Sequence, residues 1–197
     1  MKKYFILIAL FLMACGGAGN SAGTNSASNG TATKTETGSS KLTAKVGEKD
    51  YSFETKDALI WNSSLPYFGA DGKQMKQSQH SIILGNYSFE GEPARSLKAD
   101  QIKVVVTVSG EIGSEEAPSL KAGTYLTGKN GPMTVSANNI VIFDGGKEVQ
   151  NYETSGFSGE VKIISVEGDT VKGEIDIKTA KQQTKGSFTA KIYKPKM

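Results

Sequence analysis

Few side chains in the sequence can act as a nucleophile or as an acid–base group near neutral pH. The 197 residues include one histidine, His80, and one cysteine, Cys15. A Cys/His zinc site needs at least three such ligands, so these two residues do not make one. His80 by itself is able to act only as a lone general base, or as one ligand beside carboxylates. We therefore expect a non-enzymatic chain with no catalytic residues, no metal site and no cofactor.

Paired carboxylates are the other group whose chemistry has to be weighed, because glycoside hydrolysis uses two of them across one cleft. The candidates are Glu115 with Glu116, Glu90 with Glu92, and Asp144. Adjacent acids on a strand point to opposite faces, and acids in loops are usually solvated. Spacing therefore selects no acid–base pair, and a carboxylate-dependent hydrolase is the weakest functional alternative.

Two glycine motifs are similar to enzyme signatures but lack the structural context that those signatures need. Residues 19–23 fit the G-x-S-x-G pattern of serine hydrolases, yet they lie in a polar stretch and not in a strand-to-helix turn. Residues 123–130 come within one residue of a P-loop, but Gly131 and Pro132 follow where the phosphate-binding helix would begin. We expect a hairpin loop there and no nucleotide ligand.

The candidate ligand-contact region is the segment 55–80, the longest stretch of the folded part without clear strand alternation. Such a segment predicts a long loop, and long loops inside compact domains are commonly functional. Aromatic rings beside amide side chains suit contact with a sugar or a peptide. The candidate binding residues are Trp61, Asn62, Tyr67, Phe68, Gln74 and His80.

Two of these residues also have an ordinary structural interpretation. Trp61 is the only tryptophan of the chain, and a lone tryptophan in a small β-domain usually fills the core. His80 precedes an apolar run, which predicts a solvent-accessible position at the entry to a strand. For both residues the structural interpretation is the stronger expectation.

The N-terminus reads as an export signal. Lys2 and Lys3 precede an apolar run over residues 4–12 that is too short to span a bilayer. The sequence Leu-Met-Ala-Cys at residues 12–15 resembles the bacterial lipobox. The resemblance implies a signal peptide over residues 1–14 and acylation of Cys15, with palmitate-type chains anchoring the protein in a membrane. Gly16 stands where inner-membrane enteric lipoproteins carry Asp, which favours the outer membrane, with the domain facing the periplasm or the exterior.

Residues 15–40 predict a flexible linker behind the lipidated cysteine. They are rich in Gly, Ser, Thr and Asn and contain no large apolar side chain after Cys15 that could enter a core. Without Lys2 and Lys3 the chain is nearly neutral, with 21 basic and 20 acidic residues. This balance predicts no nucleic-acid partner.

From residue 41 onward the pattern changes to period-2 alternation broken by glycine-rich turns. The clearest strands are predicted at 102–108, 171–178 and 187–193, and weaker ones at 42–46, 50–54, 81–89, 124–127, 139–143 and 159–166. Turns are expected at 47–49, 144–147 and 167–169. The apolar phase slips between Ile163 and Ile164, which indicates a bulge. One all-β domain over 41–197 follows, with about nine or ten strands in an antiparallel β-sandwich or a closed, calycin-like β-barrel.

The order of these features resembles a group of uncharacterised bacterial lipoproteins of the Bacteroidetes type. The similar stretches are the hairpin 44–53, Gly123-Thr124-Tyr125, residues 158–163, Val171-Lys172-Gly173 and residues 186–191. The resemblance implies an all-β fold and brings no known activity, so it assigns no functional residue.

These observations together predict a membrane-anchored envelope lipoprotein that works as a binding module for a glycan, a peptide or a partner protein. The alternative is a calycin-like carrier of a small apolar ligand. Such a carrier requires a deep cavity inside the barrel, so the presence or absence of this cavity distinguishes the carrier from the binding module.

Overall fold

The structure, a computed structural model, describes residues 40–90, 96–114, 116–128 and 131–194. In these ranges the chain forms the following strands: β1 Lys41–Val46, β2 Lys49–Glu54, β3 Asp57–Phe68, β4 Gln74–Gly85, β5 Ile102–Gly113, β6 Gly123–Leu126, β7 Thr134–Asp144, β8 Lys147–Glu153, β9 Ser158–Glu167, β10 Thr170–Lys178 and β11 Gln182–Ile192. A search of the same ranges finds no helix with the length and apolar character needed to cross a membrane.

Several sequence predictions fall on residues outside these ranges. The signal peptide, Cys15 and the linker up to residue 39 lie outside the described residues, and so does the G-x-S-x-G stretch. The same is true of Glu92, Glu115, Lys129 and Asn130. These predictions stay predictions.

The strands form one sheet that closes into a barrel. The order around the barrel is β10-β9-β6-β7-β5-β4-β3-β11, and β11 also pairs with β10 to complete the circle of eight strands. β1 and β2 extend the sheet from β11, and β8 extends it from β7. The predicted all-β class is confirmed, and of the two predicted architectures the chain adopts the closed barrel.

Two short parallel pairings act as seams of the barrel, while its other strand pairs are antiparallel. β11 pairs with β3 only at Leu59 and Ile60, and β6 pairs with β7 only where Leu126 meets Thr134. At the β11–β3 seam Leu59 meets Lys191, which is far away in the sequence, so no local pattern indicates this pairing. The β6–β7 seam joins two consecutive strands through a single residue pair. Beyond the β11–β3 seam, β3 continues for eight residues with β4 as its only partner among the described strands.

The barrel interior is filled by apolar side chains from alternate strand positions. Ile60, Ile82 and Val106 belong to this core, and the rings of Tyr125 and Phe188 are buried with them. Full burial of each large apolar side chain contributes about 1.5 to 3 kcal/mol. The centre of the barrel is therefore packed with side chains in the way that a protein core is.

A second apolar cluster lies outside the barrel, where the β4–β5 connection covers part of the sheet. Tyr87, Phe89 and Leu97 from this connection pack on the outward-facing Ile83 and Val141. The side chain of Asp57 accepts a hydrogen bond from the N–H of Phe89 at 2.9 Å, which holds the connection against β3.

The predicted bulge in β9 is confirmed, and the extra residue is Ile164. Ser165 pairs with Lys172 and Ile163 pairs with Gly173, so Ile164 has no partner on β10. Ile163 is buried, whereas the Ile164 side chain is 52% exposed. Behind the bulge, Val166 packs on the core again.

The three predicted turns are confirmed as the connections β1–β2, β7–β8 and β9–β10. In the β7–β8 turn Gly145 and Gly146 have φ values of 59° and 79°. A two-residue hairpin turn of this type needs left-handed backbone at both positions, which glycine adopts without steric cost.

The strand predictions were wrong in three places. The segment 55–80 is not a long loop, because it forms β3, a five-residue turn and the first half of β4. β8 was not predicted either, and β4 ends at Gly85 although a strand was expected up to residue 89. The outer half of β3 is exposed on both faces, and an apolar-polar alternation arises only where one face is buried.

Candidate functional site

The candidate site lies on the hairpin of β3 and β4, whose outer half projects beyond the barrel. The two strands pair without interruption from Asp57 with Gly85 to Phe68 with Gln74. All of residues 61–68 are exposed, and Phe68 near the turn is 66% exposed. All six candidate binding residues therefore lie on paired strands and not in a loop.

The two faces of this hairpin differ because side chains alternate along each strand. Ile60 and Ile82 point into the core, so the even-numbered residues face inward and the odd-numbered ones face outward. The outer face of the projecting half, called the outer platform below, contains two aromatic rings, two amides and four hydroxyl groups in or beside it, one of them the phenol of Tyr67. Its residues are Trp61, Ser63, Leu65, Tyr67, Met75, Gln77, Gln79, Ser81 and the adjoining Thr107.

The outer platform carries no charged side chain at any of these positions. The Gln77 amide donates to the carbonyl oxygens of Gly110 and Gly131, each at 3.4 Å, which fixes its position. The hydroxyl groups of Ser81 and Thr107 lie 3.2 Å apart and form a hydrogen bond. These hydrogen bonds hold the side chains of Gln77, Ser81 and Thr107 in place.

Trp61 is on the outer platform and not in the core, so the expectation of core packing was wrong. Its side chain is 44% exposed, and its ring stacks on Tyr193 with 5.0 Å between the ring centroids. Ile60 points into the core, so the next residue of the strand, Trp61, points outward. The strand phase therefore decides the position of the tryptophan.

The backbone edge of β3 beside the platform is interrupted by Pro66. The carbonyl of Ile60 accepts a hydrogen bond from the N–H of Tyr193 at 2.8 Å, so the backbone of Ile60 points away from β4. By alternation the backbone of Asn62, Ser64 and Pro66 points the same way. Because proline has no N–H, this edge lacks a donor in its outer part, which weakens pairing with a further strand. A ligand of this hairpin would therefore be bound mainly by side chains of the platform and less by the backbone edge of β3.

His80 lies on the inner face of the hairpin, at one end of the barrel. It is 1% exposed, so the expectation of a solvent-accessible histidine was wrong. Its Nδ1 is 2.8 Å from Oδ1 of Asn62, the residue directly opposite on β3. Burial lowers the pKa of His80 to about 4, so the ring is neutral at pH 7.

The surroundings of His80 do not form a Ser–His pair. Ser78, the nearest inward-facing serine of β4, donates its hydroxyl to the carbonyl of Glu111 at 3.3 Å. Nε2 of His80 is buried without a hydrogen-bond partner among the described residues, and a Cβ on Gly110 would lie 3.1 Å from it. A shallow pocket of about 290 Å³ adjoins His80 and is lined by residues 62–64 and 117–119.

The structure brings some of the predicted site residues together and separates others. Asn62 pairs with His80 on the inner face, and Phe68 pairs with Gln74 near the turn. Trp61 and Tyr67 share the outer platform. Sequence reasoning missed Leu65 and Tyr193. Leu65 shares a face with Trp61 only because β3 is a strand, which was not predicted. Tyr193 reaches the platform because β11 pairs with β3 at the barrel seam.

The candidate acid Asp144 lies in an ion pair on the surface of the described part of the chain. Asp144 accepts a hydrogen bond from the Lys49 ammonium at 3.1 Å on the surface, and Glu111 accepts one from Lys121. Across the described ranges, no three His, Cys, Asp or Glu side chains are close enough together to hold a metal ion.

Comparison with known proteins adds no relative. No protein-family model matches the chain, and no curated protein or solved structure is significantly similar to it. The function therefore has to be argued from the geometry of the site.

Proposed function

We propose that the chain is a lipid-anchored, non-enzymatic module of the bacterial envelope that binds a glycan on the outer platform. Acylated Cys15 would hold the barrel at a membrane, with residues 16–40 as its tether. The proposed site of the anchor is the outer membrane.

One observation carries the choice of a glycan, namely the composition of the outer platform. Trp61 and Tyr67 supply ring faces, Gln79 supplies an amide donor and acceptor, and Gln77 supplies an amide oxygen as acceptor, at positions without charge. Sugar rings present apolar faces with hydroxyl groups at their edges, which such a surface matches. An acidic or basic peptide would find no opposite charge on this platform.

The alternative of a carrier for an apolar ligand has less support. A carrier needs space at the barrel centre, but Ile82, Tyr125 and Phe188 are among the side chains that fill it. The shallow pocket beside His80 is lined mainly by polar groups.

Binding can be followed by the fluorescence of Trp61, since it is the only tryptophan. Full-length protein in detergent is titrated with a panel of neutral and N-acetylated oligosaccharides. At least one member should quench or shift the emission, and Tyr67→Ala should weaken its binding about tenfold through loss of a stacking surface.

Phe68→Ala is the matched control, because Phe68 is an exposed ring, at 66% against 39% for Tyr67, on the opposite face of the same strand. It should bind like the unmodified protein. The proposal fails if no oligosaccharide alters the emission, or if Phe68→Ala weakens binding as much as Tyr67→Ala does.

The anchor is tested separately by mass spectrometry of the protein from native membranes. Diacylated or triacylated Cys15 at the new N-terminus is expected, and Cys15→Ser should release the protein from the membrane fraction. A free Cys15 thiol in native material contradicts this part of the proposal.

A further inference from the structure

A cavity of about 420 Å³ lies away from the β3–β4 hairpin, between β8 and two turns of the barrel. Its size is within the range of small-molecule sites. The β1–β2 turn and the β10–β11 turn form one wall, and the N–H of Gly47 donates to the carbonyl of Lys181 at 2.7 Å to join them. The lining residues are Val46, Gly47, Gln150, Asn151, Tyr152, Glu153, Lys181 and Gln182.

A buried polar cluster adjoins this cavity through Gln182, which belongs to both. Asn138 of β7 reaches across the barrel, where its amide donates to Oε1 of Gln182 at 3.2 Å and to the hydroxyl of Thr184 at 3.3 Å. Asn138 is also the direct cross-strand partner of Glu153 on β8. Gln182 and Glu153 are therefore both neighbours of Asn138, and both line the cavity.

Two residues that line this cavity each have a buried side-chain atom with no hydrogen-bond partner among the described residues. These atoms are Nε2 of Gln182, a donor, and Oε2 of Glu153, an acceptor. Gln182 is only 2% exposed, and its other amide atom is already bonded to Asn138. A buried polar group without a partner costs about 1 to 3 kcal/mol, so such atoms need an explanation.

We propose that this cavity binds a small polyhydroxylated ligand, either a saccharide unit or a polyol. A hydroxyl group is both a donor and an acceptor, so a ligand with several hydroxyl groups can offer an acceptor to the Gln182 amide and a donor to the Glu153 carboxylate. The Tyr152 ring at the cavity is 62% exposed and provides a face for an apolar sugar surface. Lys181 and Glu153 contribute opposite charges, which favours a neutral ligand.

This site is independent of the outer platform. Its residues come from β8 and from the turns β1–β2 and β10–β11, whereas the platform comes from β3 and β4. Binding at one site does not require binding at the other, so each proposal can fail by itself.

The test uses the full-length protein in detergent, labelled with ¹⁵N, and a panel of neutral monosaccharides together with inositol and glycerol. The side-chain amide signals of Gln182 and Asn151 are followed during each titration. We expect at least one of these compounds to shift both signals in a saturable way. The same compound should receive magnetisation from the Tyr152 ring in saturation-transfer spectra.

Two matched variants then examine the role of the amide. Gln182→Met keeps the length of the side chain and removes its amide, both the unpaired donor and the acceptor that Asn138 uses, so it should weaken binding about tenfold. Gln183→Met makes the same change at the next residue, which does not line this cavity, and should bind normally. Circular dichroism confirms that both variants are folded.

The proposal is overturned if no compound shifts the Gln182 signal at millimolar concentrations. It is also overturned if shifts occur only at hairpin residues such as Trp61, or if Gln183→Met is as weak as Gln182→Met. Exchange of the Gln182 amide with a long-lived water alone, with no ligand effect, would assign the cavity to a structural water and likewise end the proposal.

Discussion

The rings of Trp61 and Tyr193 stack with their centroids 5.0 Å apart and their planes inclined by 15°. Trp61 follows the last residue of β3 that pairs with β11, and Tyr193 follows the end of β11. The stack therefore continues the β11–β3 seam after its backbone pairing has ended. It also positions the one tryptophan of the outer platform.

The first prediction concerns this stack. Tyr193→Ala removes the ring but keeps the backbone hydrogen bond to Ile60, so the seam should lose about 1 kcal/mol of stability. Trp61 emission should shift to the red because its ring becomes more exposed. Chemical denaturation and fluorescence measure both effects. Tyr152→Ala, at an exposed ring on β8, is the control, and an equal loss there would contradict a role for the stack.

The second prediction concerns pH. Burial lowers the pKa of His80 from 6.5 to about 4 in the folded state, so between these values the unfolded chain binds more protons. The stabilising contribution is complete above pH 6.5 and is lost as the pH falls towards 4, by up to about 3 kcal/mol. Unfolding free energies across this range should decrease more steeply for the native protein than for His80→Gln. Parallel curves would show that His80 titrates normally.

The third prediction concerns Gly110, which packs against the inner side of β4. A Cβ at this position would collide with the Ser78 hydroxyl and would lie 3.1 Å from Nε2 of His80. Gly110→Ala should therefore destabilise the protein by about 1 to 3 kcal/mol. The double variant with Ser78→Ala removes the colliding hydroxyl and should recover part of this loss. Simple additivity of the two single changes would contradict the contact.

The fourth prediction uses the bulge in β9 as a matched pair of neighbours. Ile163→Ala removes a buried side chain and should cost about 2 to 5 kcal/mol. Ile164→Ala changes the exposed bulge residue and should alter the free energy of unfolding by about 0.5 kcal/mol or less. Thermal or denaturant unfolding of the two variants measures this difference. Similar losses of unfolding free energy in both variants would contradict a bulge at Ile164.

Local sequence patterns predicted those elements that are defined by local physics. β10 and the second half of β11 alternate because each has one buried face, and glycines mark the turns 47–49, 144–147 and 167–169 where left-handed backbone is needed. The bulge at Ile164 was visible as a phase slip for the same reason. These features need only near neighbours in the chain.

The candidate site was predicted only in part. The six candidate residues do lie on one hairpin, because the aromatic and amide residues of segment 55–80 share two consecutive strands. Their faces were not predictable, since an outer half that is exposed on both sides leaves no periodic signal. The cavity residues Glu153 and Gln182 gave no signal, as they meet only across the barrel.

By itself the sequence determined the all-β class, most hairpins and the composition of the hairpin that carries the outer platform. Only the tertiary structure decided that the sheet closes at two parallel seams, that Trp61 is exposed and that His80 is buried. The physical reason is that alternation and turn chemistry act over a few residues. Closure and burial depend on which distant strands become neighbours.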